Sequence, residues 1–198
     1  VGGYASDNLR FQKTYVYLNH GIFSNGACGI LFGGKLNFGL GVKHGWKPLG
    51  KPRYVTKCSG NVVQKIDNAP AAQVYEEYFA CGLTELRKKL KYISVLYPVG
   101  IYLPGEEEYL LRNLTSIEND GSLVFQGNVP ENSLIRLMIG TKESCLSAAR
   151  QAADEAKKSG VNNFVLVFDS ISRYILLRRD ANKELKIIKE SVGKDTPV

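Results

Sequence analysis

Residues that build metal and redox sites are scarce in this sequence. Its 198 residues include only four cysteines and two histidines. No two cysteines lie close enough for a CxxC pair, and no HExxH motif or close cluster of histidine and cysteine occurs. We therefore predict no metal and no other cofactor. We also expect reduced thiols, because a domain of this size does not need disulfides.

Long apolar runs are missing as well. The most apolar stretch, residues 21–42, contains Lys35 and repeated glycines, whereas a membrane-spanning helix needs about 20 mostly apolar residues. No basic region followed by an apolar stretch opens the sequence, so a secretory signal is not predicted. We expect a cytoplasmic protein whose chain makes no membrane contact.

Motifs for nucleic-acid binding and catalysis are also absent. The formal net charge is +7, but its densest clusters, residues 87–91 and 178–179, accompany no helix-turn-helix, RNP or zinc-finger pattern. Solvated helix faces explain both clusters, and nucleic acid is not an expected partner. No GxSxG elbow occurs, and the three glutamates at 106–108 are typical of an exposed loop. The chain is not predicted to be an enzyme.

The pattern of the first half predicts strands. Residues 35–43 alternate apolar and small or polar side chains, and residues 27–32 precede them across a glycine pair, which favours a hairpin. The glycines of residues 35–43 imply close approach of another backbone or of a ligand. A further hairpin is predicted from residues 53–57 and 61–66, turned at Ser59-Gly60. A helix is expected to begin near Asn68 and end at Gly82, and a short helix over residues 85–90 has Thr84 as its cap.

The second half predicts strands and longer helices. Strands are expected over residues 95–103, 109–114 and 133–139, with short strands on either side of the turn at 119–121. Helices are expected over 141–159, with an alanine-rich packing face, and over 181–191, capped by Asp180. Residues 163–168 are continuously apolar, which predicts a strand buried on both faces and a βαβ crossover. The predicted class is α+β: a β-rich first half with hairpins, and a second half with a mixed sheet, a βαβ crossover and packed helices.

Several segments together resemble one family, the FIST sensory domains. The opening residues 1–8 (VGGYASDN) resemble its GG-x-A-x-D run, and residues 44–52 (HGWKPLGKP) followed by 55–57 (VTK) resemble its GW-x-P-x-G…VT signature. Further matching segments are residues 60–63 (GNVV), 67–71 (DNAPA), 97–100 (YPVG), 111–113 (LRN), 120–122 (DGS), 129–131 (VPE) and 168–173 (FDSISR). The family's opening α/β part and a segment expected after Val198 are not found.

The resemblance implies both an organisation and a role. It divides the chain into residues 1–82, the end of a FIST N domain, and residues 83–198, a FIST C domain without its last segment. It implies a sensory domain that binds small molecules, amino acids among them, and acts on a signalling output such as a histidine kinase, a chemotaxis receptor or a cyclic-dinucleotide enzyme. The rival hypotheses are a protein-interaction platform without a small ligand and an unrecognised enzyme.

The first group of candidate ligand-binding residues follows the apolar run 163–168. Asp169, Ser170, Ser172 and Arg173 would lie at the carboxyl end of a central strand, where α/β sheets bind ligands. The guanidinium of Arg173 could clamp a carboxylate in a bidentate fork. Alternatively, it pairs with Asp169 or Glu184 and only holds the loop in place.

Three more candidates lie elsewhere in the sequence. Arg112 interrupts an apolar strand, so it points either to solvent or into a site. Asp7 and Asn8 follow a glycine pair, and their side chains could bind an amine or a hydroxyl, or could close an Asx turn.

Overall fold

The computed structural model describes residues 1–7, 10, 12–157 and 163–198. These residues form two compact units, one of residues 1–43 and 145–198 and one of residues 44–144. No described helix is long and apolar enough to cross a membrane. In chain order the strands are β1 Val16–Leu18, β2 Gly21–Phe23, β3 Lys47–Ser59, β4 Val62–Ile66, β5 Ala69–Pro70, β6 Val99–Ile101, β7 Leu110–Arg112, β8 Leu114–Ile117, β9 Leu123–Phe125 and β10 Leu134–Ile139. The α-helices are α1 Gln73–Phe79, α2 Leu83–Lys88, α3 Leu90–Leu96, α4 Lys142–Lys157, α5 Ile171–Leu177 and α6 Ala181–Val192.

The unit of residues 44–144 is built around one antiparallel sheet. Its strand order is β7-β6-β10-β3-β4-β9-β8, with β5 paired to β4. The long strand β3 lies near the middle of this order, so its two edges support β10 on one side and β4 on the other. Helices α2 and α3 lie against β8. Tyr75, Leu86 and Ile93, one from each of the helices α1 to α3, are completely buried against the strands.

The hairpin of β3 and β4 confirms the prediction for residues 53–66. Ser59 pairs with Val62 and Val55 with Ile66, and Gly60 supplies the left-handed backbone of the turn with φ 60°. Its inward side chains Val55, Val63 and Ile66 are buried. Each such aliphatic side chain contributes about 1.5–3 kcal/mol by leaving water, so their burial stabilises the hairpin in this register.

The first helix begins later than predicted. Asp67 and Asn68 both have positive φ and turn the chain between β4 and β5, so Pro70 lies in a strand and the helix begins at Gln73. Asparagine tolerates left-handed geometry, which is why the same residue suits a turn as well as a cap. The cap predicted at Thr84 is also wrong, because Gly82 precedes α2 and Thr84 lies inside it.

Several other elements of the second half agree with their patterns. The strands β8, β9 and β10 and the helices α4 and α6 lie where they were expected. Ala149 and Ala153 pack against Ile188 and Val192, which confirms the alanine-rich face of α4. Residues 95 and 96 end α3 instead of beginning a strand. A short apolar run fits a buried helix as well as a strand, and here Ile93 and Val95 are buried side chains of the helix α3.

The predicted strands at 27–32, 35–43 and 163–168 are not formed in the described residues. All described strand pairs are antiparallel, so no βαβ crossover is present among them. Phe38 is 72% exposed and Phe168 is 56% exposed. Apolar alternation indicates a surface suited to a sheet, but a strand also needs a neighbouring backbone with a free ladder edge, which the pattern cannot supply.

The glycines of residues 35–43 have a packing explanation at Gly41. A Cβ placed on Gly41 would lie 1.8 Å from the carbonyl oxygen of Ala152 in α4. Two residues on, the Lys43 ammonium lies 3.3 Å from the Glu155 carboxylate of the same helix. Backbone approach, one of the two alternatives drawn from the sequence, therefore accounts for this glycine.

Candidate functional site

The predicted site residues 169–173 form the approach to α5. The Ser170 hydroxyl accepts a hydrogen bond from the Ser172 amide at 3.2 Å and so caps the helix. The Asp169 carboxylate accepts the Ser170 amide at 2.8 Å. Serine and aspartate at this point satisfy amides that the first helical turn leaves without partners, which explains the local conformation.

Arg173 lies in a buried ion cluster between α5 and α6. Arg173 is 7% exposed and Glu184 of α6 is 5% exposed. The Arg173 Nε lies 2.9 Å from Glu184 Oε1 and 3.2 Å from Asp169 Oδ1, and Nη2 donates both to that Glu184 oxygen and to the Cys145 carbonyl at 2.8 Å. The guanidinium therefore has protein partners of the kind that the second alternative for Arg173 described.

Burial controls the ionisation of this cluster. Loss of water raises the pKa of Glu184 above its ordinary value, although the neighbouring Arg173 charge acts in the opposite direction. Burial likewise raises the pKa of the Cys145 thiol to about 11, so this thiol is neutral at physiological pH and unsuited to nucleophilic chemistry. The cluster thus connects α5 to α6.

Arg112 also contacts the backbone of its own unit. The half-buried side chain extends from β7, and its Nε donates to the Asn128 carbonyl at 2.9 Å while Nη1 donates to the Leu111 carbonyl at 3.1 Å. A Cβ on Gly127 would lie 3.2 Å from the Arg112 Nε, so glycine allows the loop to approach the guanidinium. Arg112 holds the loop after β9, and it belongs to the unit that does not contain Arg173.

Asp7 closes a local loop at the start of the chain. Its Oδ2 accepts the Gln12 amide at 2.7 Å and the Lys13 amide at 3.3 Å, and its Oδ1 accepts the Arg10 amide at 3.1 Å. These contacts match the turn-forming alternative for Asp7. Asn8 lies outside the described residues.

A hollow that the sequence did not single out lies at a bulge between β3 and β10. Leu49 pairs with Leu137 and Arg53 with Ile135, so three residues of β3 stand opposite Arg136 alone. Gly50 has φ 68°, which glycine adopts without strain, and Pro52 has no amide hydrogen to lose from the ladder. The bulge falls inside the GW-x-P-x-G segment, residues 44–52. Bulges of this kind often lie beside functional sites, because they redirect side chains.

Arg136 is left partly unsatisfied by this bulge. Its Nη2 donates to the Gly50 carbonyl at 2.9 Å, but its buried Nε–H has no acceptor among the described residues. A buried donor without a partner costs about 1–3 kcal/mol, and more when the group is charged.

The hollow is lined by charged and by apolar side chains. Its volume is about 250 Å³, and its charged lining residues besides Arg136 are Lys51, Arg53 and Glu77. Arg53 pairs with Asp67 at 3.3 Å and with Glu77 at 2.5 Å, so its charge is largely compensated. The remaining lining residues are mostly apolar: Leu49, Gly50, Val74, Tyr78, Val99, Ile135 and Leu137.

One feature of the sequence could have indicated this hollow. Arg136 interrupts the apolar strand Leu134–Ile139, in the same manner as Arg112 interrupts its strand. The bulge opposite Arg136 could not be anticipated, because it depends on how β3 and β10 pair.

A second, more open hollow lies beside the turn that joins β8 and β9. It measures about 410 Å³ and is lined by Val62, Gln64, Glu118, Asn119, Asp120 and Ser122. Both oxygens of Asp120 accept hydrogen bonds from Ser122, one from its amide and one from its hydroxyl, each at 2.9 Å. These bonds hold the pKa of Asp120 below its ordinary value. Within the described chain, no group of three His, Cys, Asp or Glu side chains is placed to hold a metal ion.

Comparison with known proteins identifies the two halves of the chain. The family model described as FIST N domain matches residues 1–69, and the one described as FIST C domain matches residues 71–198. An uncharacterized protein of Methanocaldococcus jannaschii is 28% identical over 170 residues, which cover 80% of this chain and 32% of the relative. An uncharacterized protein of Mycobacterium tuberculosis is 24% identical over 134 residues, 66% of this chain and 35% of the relative. The chain thus spans about a third of the curated relatives it matches. No solved structure matches it significantly.

Proposed function

Because the chain belongs to the FIST family, through both its N and its C domain, we propose that it is a cytoplasmic, non-catalytic sensory module that binds a small polar ligand and biases a signalling output domain. FIST domains are sensory domains of signalling proteins. The single observation that supports this function is the continuous match over residues 1–69 and 71–198. The output would be a domain such as a histidine kinase or a chemotaxis receptor.

The chemistry of the described residues supports binding better than catalysis. The thiol of Cys145 has its pKa raised by burial, and so has that of Cys58, with the Glu131 charge adding to the effect. Arg112 and Arg173 are engaged by backbone carbonyls or carboxylates. The hollow at Arg136, in contrast, places cationic side chains beside apolar ones, which is the usual composition of a small-ligand pocket.

A ligand would act by binding one conformation of the module better than another. Its effect on the output cannot exceed the difference between its affinities for those two conformations. The same preference for the folded module makes the ligand detectable through stability, whatever the output domain is.

Thermal unfolding of the 198-residue chain against single polar metabolites tests the proposal. A compound present at about 100 times its Kd stabilises the fold by about 2.7 kcal/mol, which raises the midpoint by several degrees. At least one amino acid or related polar metabolite should do so. Absence of any shift across the whole set would contradict ligand binding.

A protein-interaction platform is the second candidate function. Its support is a row of exposed apolar side chains in the segment before β3, where Leu31 is 98% exposed and Ile30 is 74% exposed. Exposed apolar surface of this kind is typical of contacts with other proteins. For a platform without a ligand, the midpoint of thermal unfolding would not change with any metabolite. Replacing Ile30 and Leu31 with serine would abolish binding of its partner protein without unfolding the sheet.

A further inference from the structure

We propose that the hollow at the β3–β10 bulge is the ligand site of this module, and that it takes a small organic carboxylate bearing an apolar group. This inference rests on the sensory function proposed above, and it adds the place and the chemistry of the ligand. The described lining residues all belong to the unit of residues 44–144.

The charge at the hollow selects an anion. The hollow is lined by three cationic side chains, Lys51, Arg53 and Arg136, and by one carboxylate, Glu77. That carboxylate already contacts Arg53 and accepts a hydrogen bond from Gln73 at 2.9 Å. The net charge of the lining is therefore positive. A cationic ligand would meet Lys51 and Arg136 at the same surface.

The fixed charge of Arg136 favours an anion. Its Nη2 is held on the Gly50 carbonyl at 2.9 Å, so the guanidinium is in place before a ligand arrives. The side chain lines the hollow, and its buried Nε–H has no acceptor in the described part of the chain, so the protein compensates this charge only in part. A carboxylate in the hollow would supply the missing negative charge beside a group that is already positioned.

The volume of the hollow and its apolar lining restrict the rest of the ligand. A volume of about 250 Å³ lies below the usual pocket range of about 300–1,000 Å³, so a nucleotide does not fit, whereas a molecule of amino-acid size does. Val99, Ile135 and Leu137 are buried core residues that reach the hollow and offer an apolar contact. The ligand therefore combines one carboxylate with a short apolar body.

A set of probes with the same isobutyl group separates these features. Isovalerate carries the carboxylate alone, L-leucine carries carboxylate and amine, and isoamylamine and L-leucinamide carry an amine without a carboxylate. Isovalerate and L-leucine should each raise the unfolding midpoint with saturation, and their ratio of Kd values shows the effect of adding the amine-bearing carbon. Isoamylamine and L-leucinamide should give no shift, and inorganic phosphate should give a smaller shift than isovalerate, because it lacks the apolar body.

Variants of Arg136 and Lys51 test whether the ligand binds in this hollow. Arg136→Gln should weaken isovalerate about tenfold to a hundredfold, the loss expected for a hydrogen bond to a charged group, and Arg136→Lys should lie between. Lys51→Gln, at an exposed position, should weaken it a few-fold and serves if Arg136 variants fail to fold. Arg179→Gln removes the same charge at an exposed position of the other unit and should change nothing.

The results distinguish this inference from the function on which it rests. An equal shift from isoamylamine or from phosphate, or unchanged isovalerate binding in both Arg136→Gln and Lys51→Gln, would overturn the carboxylate site. If none of these probes binds but another metabolite stabilises the chain, the site inference fails and the sensory function stands. If no metabolite stabilises the chain, both fail.

Discussion

Replacing Arg173 with methionine should destabilise the chain in a manner that depends on pH. The substitution leaves the Glu184 carboxylate, whose side chain is 6% exposed, without the cation that contacts it. Breaking a buried ion pair from one side costs about 3–5 kcal/mol, because the remaining charge is uncompensated in a poorly solvated place. We expect that loss for Arg173→Met at neutral pH.

The pH dependence follows from the pKa of Glu184, which burial already raises in the folded protein. Removing Arg173 raises it further, since the opposing cation is gone. A group whose pKa is higher in the folded state contributes most stability below its unfolded value, here 4.5, and loses that contribution as the pH rises through its folded pKa. The deficit of Arg173→Met should therefore be largest at neutral pH and shrink as the pH falls toward 4.5.

The reverse substitution behaves differently. Glu184→Gln leaves Arg173 charged at every accessible pH, but still in contact with Asp169 at 3.2 Å and the Cys145 carbonyl at 2.8 Å. We expect a loss of about 3 kcal/mol, which acid does not relieve. In the double variant Arg173→Met, Glu184→Leu the apolar pair replaces the ion pair, and its stability should lie within about 1 kcal/mol of the original chain.

Urea unfolding followed by circular dichroism at pH 5, 6 and 7.5 measures these differences. Arg150→Met is the matched control, because Arg150 likewise pairs with a glutamate of α6, Glu190 at 3.6 Å, but is 51% exposed. It should lose no more than about 1 kcal/mol at any of the three pH values. The reasoning is refuted if Arg173→Met loses equal stability at pH 5 and 7.5, or if the double variant is as unstable as the sum of the single ones.

Three further predictions concern the unit of residues 44–144. Gly50→Ala should lose about 1–2 kcal/mol in urea unfolding, because a Cβ at φ 68° is strained although no atom lies near it, whereas Gly29→Ala, equally uncrowded but outside the left-handed region, should be neutral. Trp46→Phe removes the indole bond to the Val95 carbonyl at 3.1 Å and should lose about 1–3 kcal/mol by circular dichroism; a neutral result would contradict a buried indole. The pKa of Asp120 is lower in the folded protein than its unfolded value of 3.8, so the charged carboxylate adds stability above pH 3.8, and this contribution is lost as the pH falls through the folded pKa. Asp120→Asn should therefore lower the free energy of unfolding at pH 6 and make it depend less on pH in the acid range. An unchanged dependence of that free energy on acid pH would count against this prediction.

Local sequence patterns were sufficient to predict an element where its own residues determine its conformation. The hairpin at Gly60 combines two apolar runs with a glycine turn, and α6 ends at Gly193, whose φ is 114°. Residues 163–168 show the limit: the apolar run predicted a strand buried on both faces, but Phe164, Leu166 and Phe168 are largely exposed and no strand pairs with them among the described residues. The α+β class was predictable, whereas the crossover depended on a pairing that the described residues do not make.

The candidate sites show the same division. The pairing of Arg173 with Asp169 or Glu184 was one of two stated alternatives, because Asp169 lies one helical turn before Arg173 and Glu184 lies eleven residues after it, in the next predicted helix. The hollow at Arg136 was missed, because its bulge and its uncompensated donor result from the pairing of two distant strands. Sequence alone indicates that a charge interrupts an apolar strand, but it does not indicate what lies opposite.

The most direct measurement of the central claim is an amide NMR titration of the ¹⁵N-labelled chain with isovalerate. Amides of β3 around Gly50 and of β10 around Arg136 should shift together and saturate with one Kd, while those of α5 and α6 should not move. Saturating shifts confined to other residues, or no shifts at millimolar isovalerate, would contradict a carboxylate site in this hollow.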